Sequence, residues 1–182
     1  MARLPYVDPA TAPAHVREIL EQLPVKLNVF RMMAHAETDF RPLIGLGTAI
    51  LARQKLSAKL RELAILRVAA LSPARYEWVQ HVPIAQAVGA TEAQVAGLER
   101  GEIAAEAFDA VERAVIRFTT EVVCDVRASE ATFAELARHL SPQEIVELIV
   151  TVGYYMLVAR LLETTAVDLD PPAGTKVVDA LR

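Results

Sequence analysis

Apolar residues recur along this chain at intervals of three and four, and no stretch sustains the two-residue alternation of a half-buried strand. The pattern therefore predicts helices throughout. Pro13 opens a short one running to about Gln22, and a brief apolar turn follows from Val29 to about His35. Thr38 or Asp39 caps the next, which carries Leu43, Leu46, Ile50 and Leu51 and takes Pro42 in its first turn. Ser57 caps a helix from Ala58 to Leu71 that is apolar on nearly every side. Ser72-Pro73 then restarts the chain as a helix to Val88, with Gly89 as its stop and Pro83 as a bend. Thr91-x-x-Gln94 and Ser141-x-x-Glu144 have capping-box spacing, opening helices to Gly101 and from Pro142 to about Glu163. Between them lie a long helix from about Ala105 to Cys124, with Phe108, Val111, Val115, Phe118 and Val122 in register, and a shorter one from Ser129 to Ala137. An irregular tail closes the sequence.

A chain of 182 residues with this pattern is one all-α domain. Its parts are a Pro-rich arm over 1–25, a central body over 38–125, carboxyl-terminal helices over 129–165 and a tail over 166–182. The hydrophobic fraction of 53% rests on Ala, Leu and Val, with only 5% aromatics, a helical composition. A formal charge of −4 with both signs interspersed offers no basic stripe, so no nucleic-acid partner is expected. The apolar runs Leu63–Leu71 and Ile145–Val158 are interrupted by Arg67 and Glu147 and fall short of a bilayer span, and no signal peptide is recognisable. No membrane partner is expected, and the cytoplasm is the default location. With Cys124 as the sole cysteine, an internal disulfide, a CxxC redox pair and a thiolate zinc cage are all ruled out. Cys124 itself reads as a semi-buried structural thiol.

Chemistry concentrates in one region. Glu77 and His81 stand four apart on one predicted helix and so share a face, while Glu62 lies on the helix before. A tight Ser-Pro turn would bring Glu62 back toward them, placing two carboxyl groups and an imidazole in an apolar wall suited to acid–base work. The plain alternative is a solvated Glu/His pair of a few tenths of a kcal/mol. Tyr76 and Trp78 either line a substrate site or fill a core or subunit contact. Arg67 and Arg75 either grip a substrate carboxylate or neutralise Glu62 and Glu77. Two carboxylates and one His could ligate a metal, but no second His stands at ligand spacing. No metal and no cofactor are expected, and surface roles suffice for His15, His35 and His139.

The run Leu60-Arg61-Glu62-Leu63-Ala64-Ile65-Leu66-Arg67-Val68-Ala69-Ala70-Leu71, followed by Tyr76-Glu77-Trp78-Val79-Gln80-His81, resembles the carboxymuconolactone decarboxylase family, which includes the alkylhydroperoxidase D-like proteins. The likeness spans roughly residues 40 to 120. In the peroxidase branch a Glu precedes a CxxC pair and a His. Laid on this chain, these fall on Glu62, Ala74, Glu77 and His81, so both thiols are missing and dithiol peroxide reduction cannot operate. The chain looks like the decarboxylase branch, which keeps Glu, Glu and His at these three positions.

The resemblance implies a compact bundle of about six to eight helices, associated as a trimer, hexamer or dimer. It also implies a lyase-type enzyme acting on a small carboxylated lactone or keto acid. In that reading His81 moves the proton, Glu77 orients its ring and Glu62 supplies the second carboxylate. Arg67 or Arg75 holds the substrate's carboxylate. The alternatives are a non-catalytic helical oligomer, or a family-level antioxidant label without the thiols to support it.

Overall fold

A computed structural model describes residues 1–103 and 106–180, with Val177 described by its backbone alone. The described residues form ten helical elements and no strand: α1 (Ala14–Gln22), α2 (Asn28–Met33), α3 (Glu37–Arg53), α4 (Ala58–Leu71), α5 (Arg75–Ala87), α6 (Glu92–Arg100), α7 (Ala110–Asp125), α8 (Glu130–Leu136), α9 (Pro142–Thr165) and α10 (Lys176–Asp179). Eight of them answer to the helices read from the sequence. The additions are α2, six residues long, and α10, four residues long, in stretches read as a turn and a tail.

Local chemistry sets most boundaries. Ser57, Thr91, Ser129 and Ser141 each accept a backbone N–H of the turn they open, and Thr91 and Ser141 complete reciprocal boxes with Gln94 and Glu144. Asp109 and Glu112 form a third box at the start of α7, whose expected beginning at Ala105 lies outside the described residues. Ser72 does not cap α5. Its N–H closes on the carbonyl of Val68, making it the end of α4, and α5 starts three residues on at Arg75. Helix α3 likewise begins before its expected caps, because α2 turns directly into it with Asp39 N–H bonded to the Ala36 carbonyl. Gly89 does stop α5. Its φ of 100° lets Ala90 N–H return to the Ala85 carbonyl, a conformation costly for any residue with a Cβ.

Helix α4 is the axis of the bundle. Leu63, Ala64, Ile65, Leu66 and Val68 are all fully buried, and α5, α6, α7 and α9 pack around it. At about 1.5–3 kcal/mol for each large apolar side chain, this enclosure anchors everything attached to α4. Helix α9 is long and apolar enough to cross a membrane by length and composition, yet Ile145, Leu148, Val152, Tyr155 and Ala159 face the interior. Its outward side leaves Val146, Ile149, Val150 and Leu157 exposed.

The amino-terminal segment is more than an arm. Val16, Ile19 and Leu20 of α1 are buried in a cluster with Met33, Phe40 and Leu162. The chain ends are also tied together. Tyr6 donates its hydroxyl to Asp168, and Arg3 N–H bonds the Thr165 carbonyl. Docked this way, the two termini wall off one side of α5.

Candidate functional site

Two side chains from consecutive helices meet in the interior. Glu62 on α4 is fully buried, and its Oε2 lies 2.8 Å from Nδ1 of His81 on α5. Its other oxygen, Oε1, accepts from Nε of Arg61 at 3.3 Å, and Arg61 is itself only 4% exposed. The His81 ring stands edge-on to Tyr155 of α9, centroids 4.8 Å apart and planes at 88°. Carboxylate on one side and phenol ring on another fix the imidazole plane. With Nδ1 taken by Glu62, Nε2 is the nitrogen left for a ligand.

Glu77, one turn before His81, is buried as well, but neither of its oxygens has a hydrogen-bond partner. Burial pushes its carboxyl well above the usual carboxylate range, and the nearby Glu62 and Glu163 push it the same way. These effects favour the protonated form of Glu77, which can donate one hydrogen bond and accept others. The carboxyl group that touches the His81 ring is that of Glu62, where the sequence reading expected Glu77.

Glu77 and His81 line a cavity of about 120 Å³. Helix α5 contributes Tyr76, Gln80 and Ile84 beside them, α9 contributes Tyr154, Tyr155 and Val158, and α3 contributes Ile44, Thr48 and Leu51. Leu27, Phe30 and Met33 close the side toward α2. Tyr154 donates its hydroxyl to the Leu43 carbonyl, and burial with Glu77 nearby pushes its phenol up to about 12. It can come that close to α3 because position 47 is glycine: a Cβ there would stand 2.6 Å from the Tyr154 hydroxyl.

The tail roofs the cavity from the α5 side. Tyr76 donates its hydroxyl to Asp170, which also accepts from Asn28 N–H. The Gln80 amide donates to the carbonyls of Asp170 and Pro171 and accepts from Ala173 N–H. Gly174 reaches the cavity wall.

The other expected site residues lie elsewhere. Arg67 follows Glu62 by five residues, which on a helix turns it about 140° away. Its Nε donates to Thr120 of α7 at 2.9 Å, and it does not line the cavity. Arg75, about 160° round α5 from Glu77, is exposed and faces Glu99 at 3.6 Å. Neither arginine neutralises Glu62 or Glu77, and the cation beside Glu62 is Arg61. Trp78 packs into the core with Leu63, Leu66 and Phe108, away from the cavity. Of the expected substrate contacts only Tyr76 lines the wall. Cys124 is exposed on α7 rather than semi-buried and does not line the cavity. Among the described residues no three His, Cys, Asp or Glu side chains are disposed to hold a metal ion. Arg61, Gln80, Tyr154 and Tyr155 were not singled out from the sequence. Arg61 stood beside a candidate acid, whereas the tyrosines sit in an apolar helix more than 70 residues from His81 with no motif to mark them.

Residues 40–121, which hold α4, α5 and both acids with His81, match the model of the carboxymuconolactone decarboxylase family. Over that span the chain is similar to the carboxymuconolactone decarboxylase family, and its fold is that of the alkylhydroperoxidase D-like proteins. Solved structures share its fold over nearly the whole length. The alkylhydroperoxidase core of an uncharacterised peroxidase-related protein from Ralstonia eutropha superposes with a TM-score of 0.79 at 20% identity, covering 93% of this chain and 92% of that one. A peroxidase-related protein from Silicibacter gives a TM-score of 0.77 at 17% identity, with coverage of 93% and 92%. The debrominase Bmp8, in complex with 2,3,4-tribromopyrrole, gives 0.75 at 16% identity and covers both chains fully. No curated protein matches the chain. Likeness at these identities speaks for the fold. This chain has a single cysteine and so lacks a cysteine pair.

Proposed function

We propose that this chain is an enzyme that moves a proton at a carbon next to a carbonyl group, with His81 as the acid–base residue. The observation that carries the reading is the Glu62–His81 contact of 2.8 Å at the wall of a cavity that also holds the unpartnered acid Glu77. Nε2 of His81 takes the proton, and the C–H electron pair passes into the carbonyl, whose oxygen gains charge. Glu77, a neutral acid, donates its hydrogen bond to that oxygen, and Glu62 balances the imidazolium. Return of the proton to the same or a conjugated carbon releases a neutral product and restores the neutral ring.

Decarboxylation of a carboxylated lactone or keto acid, the reaction in the family's name, would use the same Nε2 to protonate the carbon that carbon dioxide leaves. It would also need a cation for the departing carboxylate, and Arg67 and Arg75 are both turned away. Peroxide reduction through paired thiols is closed to a chain with one cysteine. The peroxidase-related and debrominase neighbours illustrate that one fold hosts several chemistries, so the site must decide. A sealed structural network fits less well than a catalytic one, because it would leave Glu77 buried without a partner at a continuing cost. Homo-oligomerisation belongs to the same proposal, since Val146, Ile149, Val150 and Leu157 form an apolar stripe that a second copy would cover.

Racemisation of small chiral ketones with one hydrogen on the adjacent carbon, followed by circular dichroism, tests the reading. The wild-type chain should racemise a member of such a panel and His81→Ala should not. Equal rates in the two would remove His81 from the mechanism.

A further inference from the structure

The walls of the cavity say what it can hold, and the clue is which of their polar groups are already committed. The Gln80 amide is spent on the tail at both its nitrogen and its oxygen. Tyr76 gives its hydroxyl to Asp170, and Tyr154 gives its hydroxyl to Leu43. His81 has one nitrogen on Glu62. Glu77 alone among these has no hydrogen-bond partner at all, and it is 2% exposed. A carboxyl group with no hydrogen-bond partner, on a buried residue that lines a cavity, marks a place where a ligand's polar atom belongs.

Charge and size narrow the ligand further. Among the described residues no Arg or Lys lines the cavity, and Arg61, the cation beside Glu62, is engaged by that residue and absent from the wall. An anionic ligand would therefore lose its hydration without a fixed cation among the described lining residues to replace it. The volume of about 120 Å³ is close to the roughly 150 Å³ apolar cavity that takes benzene in another protein.

We infer that the cavity takes a neutral, largely apolar carbonyl compound of about benzene's size, whose oxygen accepts a hydrogen bond from Glu77, and that it refuses carboxylates. This rests on the proton-transfer reading for its relevance to turnover, but binding is separable from it. The carboxylated substrate expected from the sequence is replaced by its uncharged counterpart.

Ligand-observed NMR titration with cyclohexanone and cyclohexanecarboxylate tests this on the unmodified chain. Cyclohexanone should bind, and the carboxylate should bind at least about tenfold more weakly. Glu77→Gln, whose amide still donates, should keep the ketone, while Glu77→Leu should weaken it by about tenfold. His81→Ala should still bind cyclohexanone. Were His81→Ala to keep its racemisation activity, the mechanism would fail while the ligand class stood. Tighter binding of the carboxylate, no binding of the ketone, or an unchanged ketone affinity in a folded Glu77→Leu chain would each overturn the inference.

Discussion

Glu62 and His81 face one another at 2.8 Å across the α4–α5 contact, and it is this acid, rather than Glu77 on His81's own helix, that holds the ring. The consequence is a division of labour between two buried carboxyl groups. One touches the imidazole; the other, whose surroundings favour its protonated form, lines the cavity.

Replacing Glu62 by Gln should therefore impair catalysis nearly as much as losing His81. The amide can still touch Nδ1, but it cannot balance an imidazolium. A fall in kcat of about a hundredfold to ten-thousandfold is expected, the range ordinarily lost with a general acid–base group. Ketone affinity should be little changed. Steady-state kinetics beside the NMR titration separates the two effects, and a fall in binding with kcat preserved would contradict the assignment.

Arg61 and Glu62 make a second, structural prediction. Both are nearly free of solvent, and Glu62 is the partner of the Arg61 guanidinium. Glu62→Leu strands that cation in the interior and should cost about 3–5 kcal/mol. Adding Arg61→Met removes the stranded charge, so the double variant should unfold at a higher urea concentration than Glu62→Leu alone. If the two losses simply add, the pair is not coupled.

Glu77 makes stability depend on pH. Its folded pKa is raised by burial, so between the ordinary carboxylate pKa and that raised value the unfolded chain loses a proton which the folded chain keeps. Stability from this group thus declines as pH rises through that window, with a limiting slope of about 1.4 kcal/mol per pH unit at 25 °C. Glu77→Gln removes the titration. Urea unfolding of both chains from about pH 5 to about pH 7 should show the variant gaining on the wild type as pH rises. A constant difference would mean that Glu77 is not held neutral.

The fold was largely legible because its signals are local. Ser57, Thr91 and Ser141 open helices through hydrogen bonds made within four residues, and sequence spacing records those directly. Ser72 misleads for a related reason: the same residue can finish one helix or start the next, and packing of α4 against α5 decides. For the site, residue types at positions 62, 77 and 81 revealed the cluster. Which acid touches the imidazole depends on the relative rotation of two helices, and spacing along one helix does not contain it. The same gap displaced Arg67 and Arg75, each on the wrong side of its helix. Tyr154 and Tyr155 enter from α9, a contact that only tertiary packing creates.

Two glycines of α3 should respond in opposite ways to the same change. A Cβ on Gly45 meets nothing within 4 Å, so Gly45→Ala should gain about 0.5–1 kcal/mol of helix stability. On Gly47 it would press on the Tyr154 hydroxyl at 2.6 Å and its ring carbon at 3.1 Å, disturbing a buried side chain at the cavity wall. Overpacking of this kind costs about 1–3 kcal/mol, enough to outweigh the helical gain. Thermal unfolding of the two variants checks the sign, and stabilisation by Gly47→Ala would show that Tyr154 is loosely held.

Solvent deuterium is the sharpest probe of the mechanism. With cyclohexanone in heavy water, NMR should show the chain catalysing exchange of the hydrogens beside the carbonyl, and His81→Ala at equal concentration should return the rate to that of buffer. Exchange in the variant as fast as in the wild type, with cyclohexanone demonstrably bound to both, would contradict proton transfer by His81.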